Sequence, residues 1–341
     1  MFDIRLLTFD CHNDIRLSTV IVAKTNGGLF MSCGIKAPVL KKGDSIGVVA
    51  PGSPARSMEI LAETEKELRY QGYKVVWGET ARVGDGYLAG SDLERRADLE
   101  RLWLDDSIAA IWCLRGGYGS IRLLRRLCFR LLSLRPKIFI GFSDVTALEW
   151  GLWSQIKLMT FHGPVLTTLP ESEFSKSMVF RMINGEWAGG VLEWPETEDH
   201  RYHPIKPGEA RGRILGGNLA TITSLIGTRF FPPLDGMILF LEETGEAAYR
   251  IDRMLTQLIL SGVLEGVAAV LVGRCIPAVG EDEAEIISVF RERLGELACP
   301  SGYGFPIGHG KEQWTLPQGV TAEADLEAGS LRLLEAGVVG R

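Results

Sequence analysis

The sequence predicts an α/β fold in two domains, and three observations carry that expectation. From Ser45 onward, short β-branched runs alternate with amphipathic segments, the pattern of strands joined by crossover helices. A proline-rich, acidic stretch between about Thr167 and Gly208 interrupts the alternation. The chain has 341 residues, 46% of them hydrophobic and 23% charged, enough for two cores of ordinary domain size.

Residues 1–35 read as a weakly patterned N-terminal extension, and Met31, just ahead of the first organised strand, is a second candidate start. The first domain, residues 36–166, is expected to hold strands at Ser45-Ile-Gly-Val-Val-Ala, Lys74-Val-Val-Trp, Ala109-Ala-Ile-Trp-Cys-Leu and Lys137-Ile-Phe-Ile-Gly. A helix from about Met58 to Gln71 sets Ile60, Leu61, Leu68 and Tyr70 among Glu59, Glu63, Glu65 and Glu67, and stops before Gly72. The helix after Ser143 carries Leu148, Leu152 and Trp153 on one side, which should pack onto the sheet. Residues 167–208, with Pro170, Pro195, Pro204 and Pro207, read as a linker. The second domain, residues 209–341, is expected to contain strands at Met237-Ile-Leu-Phe-Leu, Val267-Ala-Ala-Val-Leu-Val, Val320-Thr-Ala-Glu-Ala and Leu331-Arg-Leu-Leu. Helices from Tyr249 to about Leu264 and from Asp282 to Leu297 lie between them.

A formal charge of -6 gives no long-range attraction to nucleic acid or to an anionic membrane surface, so neither is an expected partner. The densest basic run, Arg122 to Arg135, falls on a predicted helix and its exit and reads as a solvated face. Cys11, Cys33, Cys113, Cys128, Cys275 and Cys299 lie far apart without C-x-x-C spacing, as expected of free thiols in a reducing compartment. No run approaches the roughly 18 apolar residues of a membrane span. The N-terminus, broken by Asp3, Arg5, Asp10, Asp14 and Arg16, lacks a secretory core. The expectation is a soluble cytoplasmic protein without metal or cofactor, and a symmetric homodimer as the commonest oligomer of such enzymes.

The most informative stretch is Lys137-Ile-Phe-Ile-Gly-Phe-Ser-Asp-Val-Thr, where an apolar strand delivers Ser143 onto the start of a helix. Gly141 permits tight backbone geometry, and the free N–H groups of a first helical turn favour negative charge there. The stretch resembles a G-x-S-x-G nucleophile elbow without its second glycine; the plain alternative is a helix cap. A serine nucleophile needs a base, and a histidine base needs a carboxylate to fix its tautomer. His12 lies in the extension, and His200 and His203 lie in the linker, leaving His309, between Gly308 and Gly310, and His162, in Phe161-His-Gly-Pro at a strand end where it could line a cleft or simply occupy a turn. Glu242 and Glu243 end an apolar strand, at the carboxyl edge where open parallel sheets bind ligands, and Glu242 is the better candidate. The loop Leu114-Arg-Gly-Gly-Tyr-Gly-Ser120 has three readings. It could cradle a phosphate, it could supply an oxyanion donor from Gly116 or Gly117 with Arg115 receiving a substrate carboxylate, or it could be a packing turn.

Taken together, Arg115-Gly-Gly-Tyr-Gly, Gly141-Phe-Ser-Asp-Val-Thr, Phe161-His-Gly-Pro, Gly216-Gly-Asn-Leu, Leu241-Glu-Glu-Thr-Gly-Glu, Tyr249-Arg-Ile-Asp-Arg-Met-Leu and Gly308-His-Gly resemble the LD-carboxypeptidase family of serine peptidases. The resemblance runs from Ile35 to about Ala336. It implies an N-terminal parallel-sheet, flavodoxin-like domain bearing the nucleophile Ser143 and a C-terminal α/β domain bearing the acid Glu242 and the base His309, with the active site at the interface. The backbone amides of Gly117 and Asp144 are expected to hold the oxyanion, and Arg115, Gly116 and His162 to contact substrate. The resemblance implies release of terminal D-alanine from a murein tetrapeptide or, alternatively, hydrolysis of a peptide–nucleotide of the microcin C type. Departures at Thr244, at Glu149-Trp150 and in the N-terminal extension leave the triad intact and bear on substrate preference. The rival from another class is a non-enzymatic nucleotide- or phosphate-binding protein built on the loop after Leu114. Trp150 and Trp314 are expected to fill core.

Overall fold

A computed structural model describes residues 34–84, 86–196 and 202–340. The sequence reading of residues 1–33, with His12, Cys11 and Cys33, and of His200, lies outside the described residues. Residues from Gly34 onward form one compact unit around two sheets.

The first sheet contains the strands Ser45–Val49, Lys74–Trp77, Ile108–Cys113, Ile138–Gly141 and Phe161–His162, all parallel. Numbered along the chain, their spatial order is 2-1-3-4-5, the flavodoxin-like order, with its switch point between Ser45–Val49 and Ile108–Cys113. Ligand crevices of such sheets open beyond the carboxyl ends of the strands at that point. The loop Pro51-Gly-Ser-Pro54 and the glycine-rich loop after Leu114 both leave the sheet there. Helix Met58–Tyr70 is started by Ser57, whose hydroxyl accepts from the Ile60 N–H, and helix Asp92–Leu104 by a capping box between Ser91 and Glu94.

The second sheet has eight strands. Glu209–Asn218, Met237–Glu242, Ala269–Gly273 and Ser301–Phe305 run parallel at its centre. The antiparallel strands Thr321–Asp325, Ser330–Leu333 and Gly190–Val191 extend one side and His203–Lys206 the other. Helices Ala248–Leu260 and Glu283–Gly295 pack on it through Ile251, Leu255, Leu258, Ile286, Phe290 and Leu294. Two short pairings stitch the chain together. Leu316–Pro317, late in the chain, adds antiparallel to Phe161–His162 at the edge of the first sheet, and Ala37–Pro38 pairs with Val338–Val339.

Three expectations need correction. The stretch 167–208 is not a bare linker, because it holds helix Glu173–Ile183 and two strands of the second sheet. Ser172 caps that helix, and Met178, Val179, Phe180, Met182 and Ile183 bury its apolar face; the flanking prolines, not the helix itself, break the periodicity. The helix Thr146–Ile156 is not one-sided, since every residue from Thr146 to Trp153 is buried. It packs against its own sheet and also against strand Glu209–Asn218 of the other, so burial on every side is what the position imposes. The Arg122 to Arg135 run is not one helix but a short turn, Ser120–Leu123, followed by helix Phe129–Ser133, and Arg122 and Arg126 reach Asp92.

Candidate active site

The strand Ile138–Gly141 is buried along its length and ends in Phe142, after which Ser143 turns with φ of +63°. A non-glycine residue in the left-handed region costs on the order of 1–3 kcal/mol and persists only where its surroundings hold it. Strand, strained serine and helix together make a nucleophile elbow. A Cβ at Gly141 would fall 2.5 Å from Val145 Cγ1, so glycine is needed on the strand side of the turn. Val145 itself has φ of −64°, and this explains why the elbow does without its second glycine.

The glycine-rich loop lies against this serine. A Cβ at Gly116 would stand 2.9 Å from Ser143 Cβ and 3.1 Å from its Oγ. Gly117, at φ of +95°, leaves no room for a Cβ because Ser53 Oγ occupies that space. The Asp144 carboxylate accepts from the N–H groups of Gly119 (3.1 Å) and Ser120 (2.9 Å), while the Ser120 hydroxyl donates to the Asp144 carbonyl. Burial raises the pKa of that carboxyl, and these hydrogen bonds and Arg95 pull against the rise. The N–H groups of Gly117 and Asp144 have no acceptor among the described residues. Arg95, wholly buried, ties the loops together by donating to the carbonyls of Pro51, Gly90 and Gly119.

Glu242 ends its strand fully buried, and its Oε2 lies 2.6 Å from His309 Nδ1. Gly308, with φ of +92°, lets the loop press so closely that a Cβ there would collide with Glu242. Burial alone would raise the Glu242 pKa, but the charge and hydrogen bond of His309 reverse this and lower it. Burial alone would lower the His309 pKa, yet Glu242, with Glu243 behind it, lifts it above 6.5. The imidazole ring lies 4.7 Å from the ring of Phe142, the residue before Ser143, so the two sheets bring the serine turn and the acid–imidazole pair together. No hydrogen bond joins Ser143 to His309 among the described residues. Glu243 does different work. It accepts from Asn218 Nδ2, Ala220 N and Thr244 N, and burial followed by the Glu242 charge pushes its pKa up to about 7.

Side chains of helix Thr146–Ile156 dock the first sheet onto the second. Thr146 Oγ1 accepts from Asn218 N at 3.1 Å, and Trp150 Nε1 donates to the Gly216 carbonyl at 2.7 Å. Glu149 Oε2 accepts from Gln318 Nε2 at 2.8 Å, and Gln318 Oε1 accepts in turn from Gly216 N. Gly216 and Asn218 are paired in register with Phe240 and Glu242, so this contact sets the helix behind Ser143 against the strand that carries the acid.

Of the residues singled out in the sequence, Ser143, Gly116, Gly117, Asp144, Glu242 and His309 converge. Arg115 is half-buried at the loop and donates to the Pro54 carbonyl at 3.1 Å; burial and nearby Arg56 lower its pKa. His162 does not line the cleft: it is fully buried, wedged between Phe142 and Phe240. His203 stands on the far edge strand of the second sheet. Trp150 and Trp314 are both buried core. Sequence reasoning passed over Gly52, Ser53, Arg95 and Gln318, and took Asn218 only as part of the motif Gly216-Gly-Asn-Leu. The Pro-Gly-Ser-Pro turn directly after the first strand was the available signal for the first two. Among the described residues, no group of three or more His, Cys, Asp or Glu is placed to hold a metal ion.

A serine held in a left-handed elbow, with the residue before it packed against a carboxylate-bound imidazole, has the geometry of a serine hydrolase. Family models for the N-terminal and C-terminal domains of LD-carboxypeptidase match residues 46–163 and 211–324. A putative carboxypeptidase of Synechocystis sp. is 38% identical over 86% of this chain and 96% of its own length. A probable murein peptide carboxypeptidase of Bacillus subtilis is 34% identical over 91% of this chain and 97% of its own length. The solved structure of a variant of the microcin C7 self-immunity protein MccF, in complex with adenosine monophosphate, superposes with a TM-score of 0.82 at 26% identity, covering 89% of this chain and 100% of the other. The chain belongs to the LD-carboxypeptidase family and is a serine peptidase.

Proposed function

We propose that this protein hydrolyses an L,D-amide bond next to a free carboxylate and releases terminal D-alanine from a murein tetrapeptide. Ser143 is the nucleophile, His309 the base and Glu242 the acid that fixes the imidazole. The observation that carries this reading is the pairing of a strained serine against Gly116 with a buried Glu242–His309 contact of 2.6 Å. With Nδ1 engaged by Glu242, the Nε2 of His309 is left to take the Ser143 proton and then to give it to the leaving amine. The amides of Gly117 and Asp144 supply the oxyanion donors, each worth roughly 3–4 kcal/mol of transition-state stabilisation in such sites. Arg115 is the cation to receive the terminal carboxylate. The murein substrate is favoured by the Bacillus subtilis relative, named for murein peptide and more similar in sequence than MccF.

The second reading, a peptide–nucleotide amide as substrate, draws on the TM-score of 0.82 to MccF. Incubation with L,D-tetrapeptide and, separately, with an aminoacyl-sulfamoyl nucleotide, followed by mass spectrometry, tests both. Release of D-alanine supports the first reading, and cleavage of the nucleotide conjugate alone replaces it with the second. A fluorophosphonate probe should label Ser143; nucleotide affinity without labelling would favour a binding protein instead. We place the activity in the cytoplasm and in a homodimer, the latter open to sedimentation analysis.

A further inference from the structure

The turn Pro51-Gly-Ser-Pro54 takes no part in the chemistry proposed for Ser143, yet it grips the loop that carries one of the oxyanion donors. The grip is Ser53, a buried residue that holds the loop on both sides of Gly117. Its backbone N–H donates to the Gly116 carbonyl at 3.1 Å, and its hydroxyl oxygen accepts from the Tyr118 N–H at 3.2 Å. The same hydroxyl donates its proton to the Tyr87 carbonyl at 2.7 Å. Tyr87 lies between strand Lys74–Trp77 and helix Asp92–Leu104, and that segment is itself tied to the turn by Ala89 N donating to the Gly52 carbonyl at 3.0 Å. The hydroxyl therefore joins the oxyanion loop to a second, separately anchored loop.

Peptide planarity turns these contacts into an aim. The Gly116 carbonyl and the Gly117 N–H belong to one trans peptide unit, so they point in opposite directions. With the carbonyl held on Ser53, the Gly117 N–H faces away from the turn, and it has no acceptor among the described residues. Rotating that peptide would break the bond from Ser53 N, and lifting the loop would break the bond to Ser53 Oγ. The packing is equally close. A Cβ at Gly117 would collide with Ser53 Oγ, and one at Gly52 would fall 2.8 Å from the Gly116 carbonyl oxygen. The Asp144 carboxylate holds the far end of the same loop through the N–H groups of Gly119 and Ser120, so Ser53 governs the near end, where Gly117 lies.

We propose that Ser53 is a positioning residue for the reaction at Ser143: its hydroxyl fixes the segment Gly116 to Tyr118 so that the Gly117 N–H is aimed at the oxyanion before substrate arrives. The inference rests on the assignment of Ser143 as nucleophile and of the Gly117 amide as an oxyanion donor. Ser53 itself exchanges no proton with the substrate and acts only through the loop it holds.

Two measurements test it. Ser53→Ala removes the hydroxyl and keeps the backbone bond to Gly116. It should lower kcat roughly 10 to 10²-fold with KM within about twofold, a smaller loss than deletion of an oxyanion donor and one confined to the transition state. Its second-order rate of fluorophosphonate labelling should fall by a similar factor, because phosphonylation of Ser143 places an oxygen in the same hole. Unchanged kcat and labelling rate with only a lower melting temperature would make Ser53 a structural brace and overturn the proposal, as would a raised KM at unchanged kcat. Hydrogen exchange in the wild-type protein needs no variant to fold. The amide of Tyr118, a residue 51% exposed, should exchange at least about 10²-fold more slowly than an unprotected amide, and free exchange there overturns the proposal. Labelling of the wild-type protein, absent in Ser143→Ala, checks the underlying assignment separately.

Discussion

The two halves of the site are built from different materials. On the first sheet, the Ser143 side is made of backbone: a left-handed serine, glycines that admit no Cβ, and amides without acceptors among the described residues. On the second, the Glu242–His309 side is made of buried charge, with each member shifting the other's pKa. The first half is therefore vulnerable to added atoms and the second to altered protonation, and substitutions can separate the two.

The largest effect should come from Ser143→Ala, which is expected to cost about 10⁴ to 10⁶ in kcat, since members of the proposed triad would act as a unit; tetrapeptide turnover measures it. Gly116→Ala should come next. Its methyl group would sit 2.9 Å from Ser143 Cβ, so kcat should fall roughly 10² to 10³-fold while the circular dichroism spectrum stays native. If Gly116→Ala were as active as wild type, the backbone-built half of the comparison would fail. Third, burial raises the folded pKa of Glu243 from 4.5 to about 7, so its protonated form is favoured in the fold. That stabilisation is full below pH 4.5 and is lost as pH rises through about 7, a decline of about 1–3 kcal/mol that Glu243→Gln should flatten in urea titrations at several pH values. The smallest effect is a displacement of one pH limb. The proposed base His309 takes a proton only when neutral, and its pKa is raised, so kcat/KM should rise with an apparent pKa above 6.5. In Glu242→Gln the residual activity should show that limb shifted to lower pH, because burial then acts on the imidazole without its carboxylate.

Much of this was legible before any coordinates. Strands such as Lys74–Trp77 and Ile138–Gly141 announce themselves by β-branched runs, and their helices by caps and period, because these are local properties. Ser143, Glu242 and His309 were singled out because each sits where an apolar strand gives way to a loop, and the structure sets Glu242 2.6 Å from His309 with Phe142, the neighbour of Ser143, against the imidazole ring. Helix Glu173–Ile183 was hidden by the prolines around it. The docking of Glu149 on Gln318 joins residues 169 positions apart, and nothing local to either reports it. His162 misled for a related reason: a histidine before Gly-Pro at a strand end can line a cleft or occupy a turn, and Phe142, Phe240 and the pairing with Leu316–Pro317 reach it from other parts of the chain.

That same pairing limits how the molecule can be divided. Leu316–Pro317 closes the border of the first sheet from a point far downstream, and Ala37–Pro38 is clasped by Val338–Val339. A fragment ending after residue 163 would present Phe161–His162 as a bare apolar ribbon, inviting self-association in place of folding. The front half of this chain is thus finished only when residues 316–339 arrive, and a ribosome must release that stretch before the first sheet has its final neighbours.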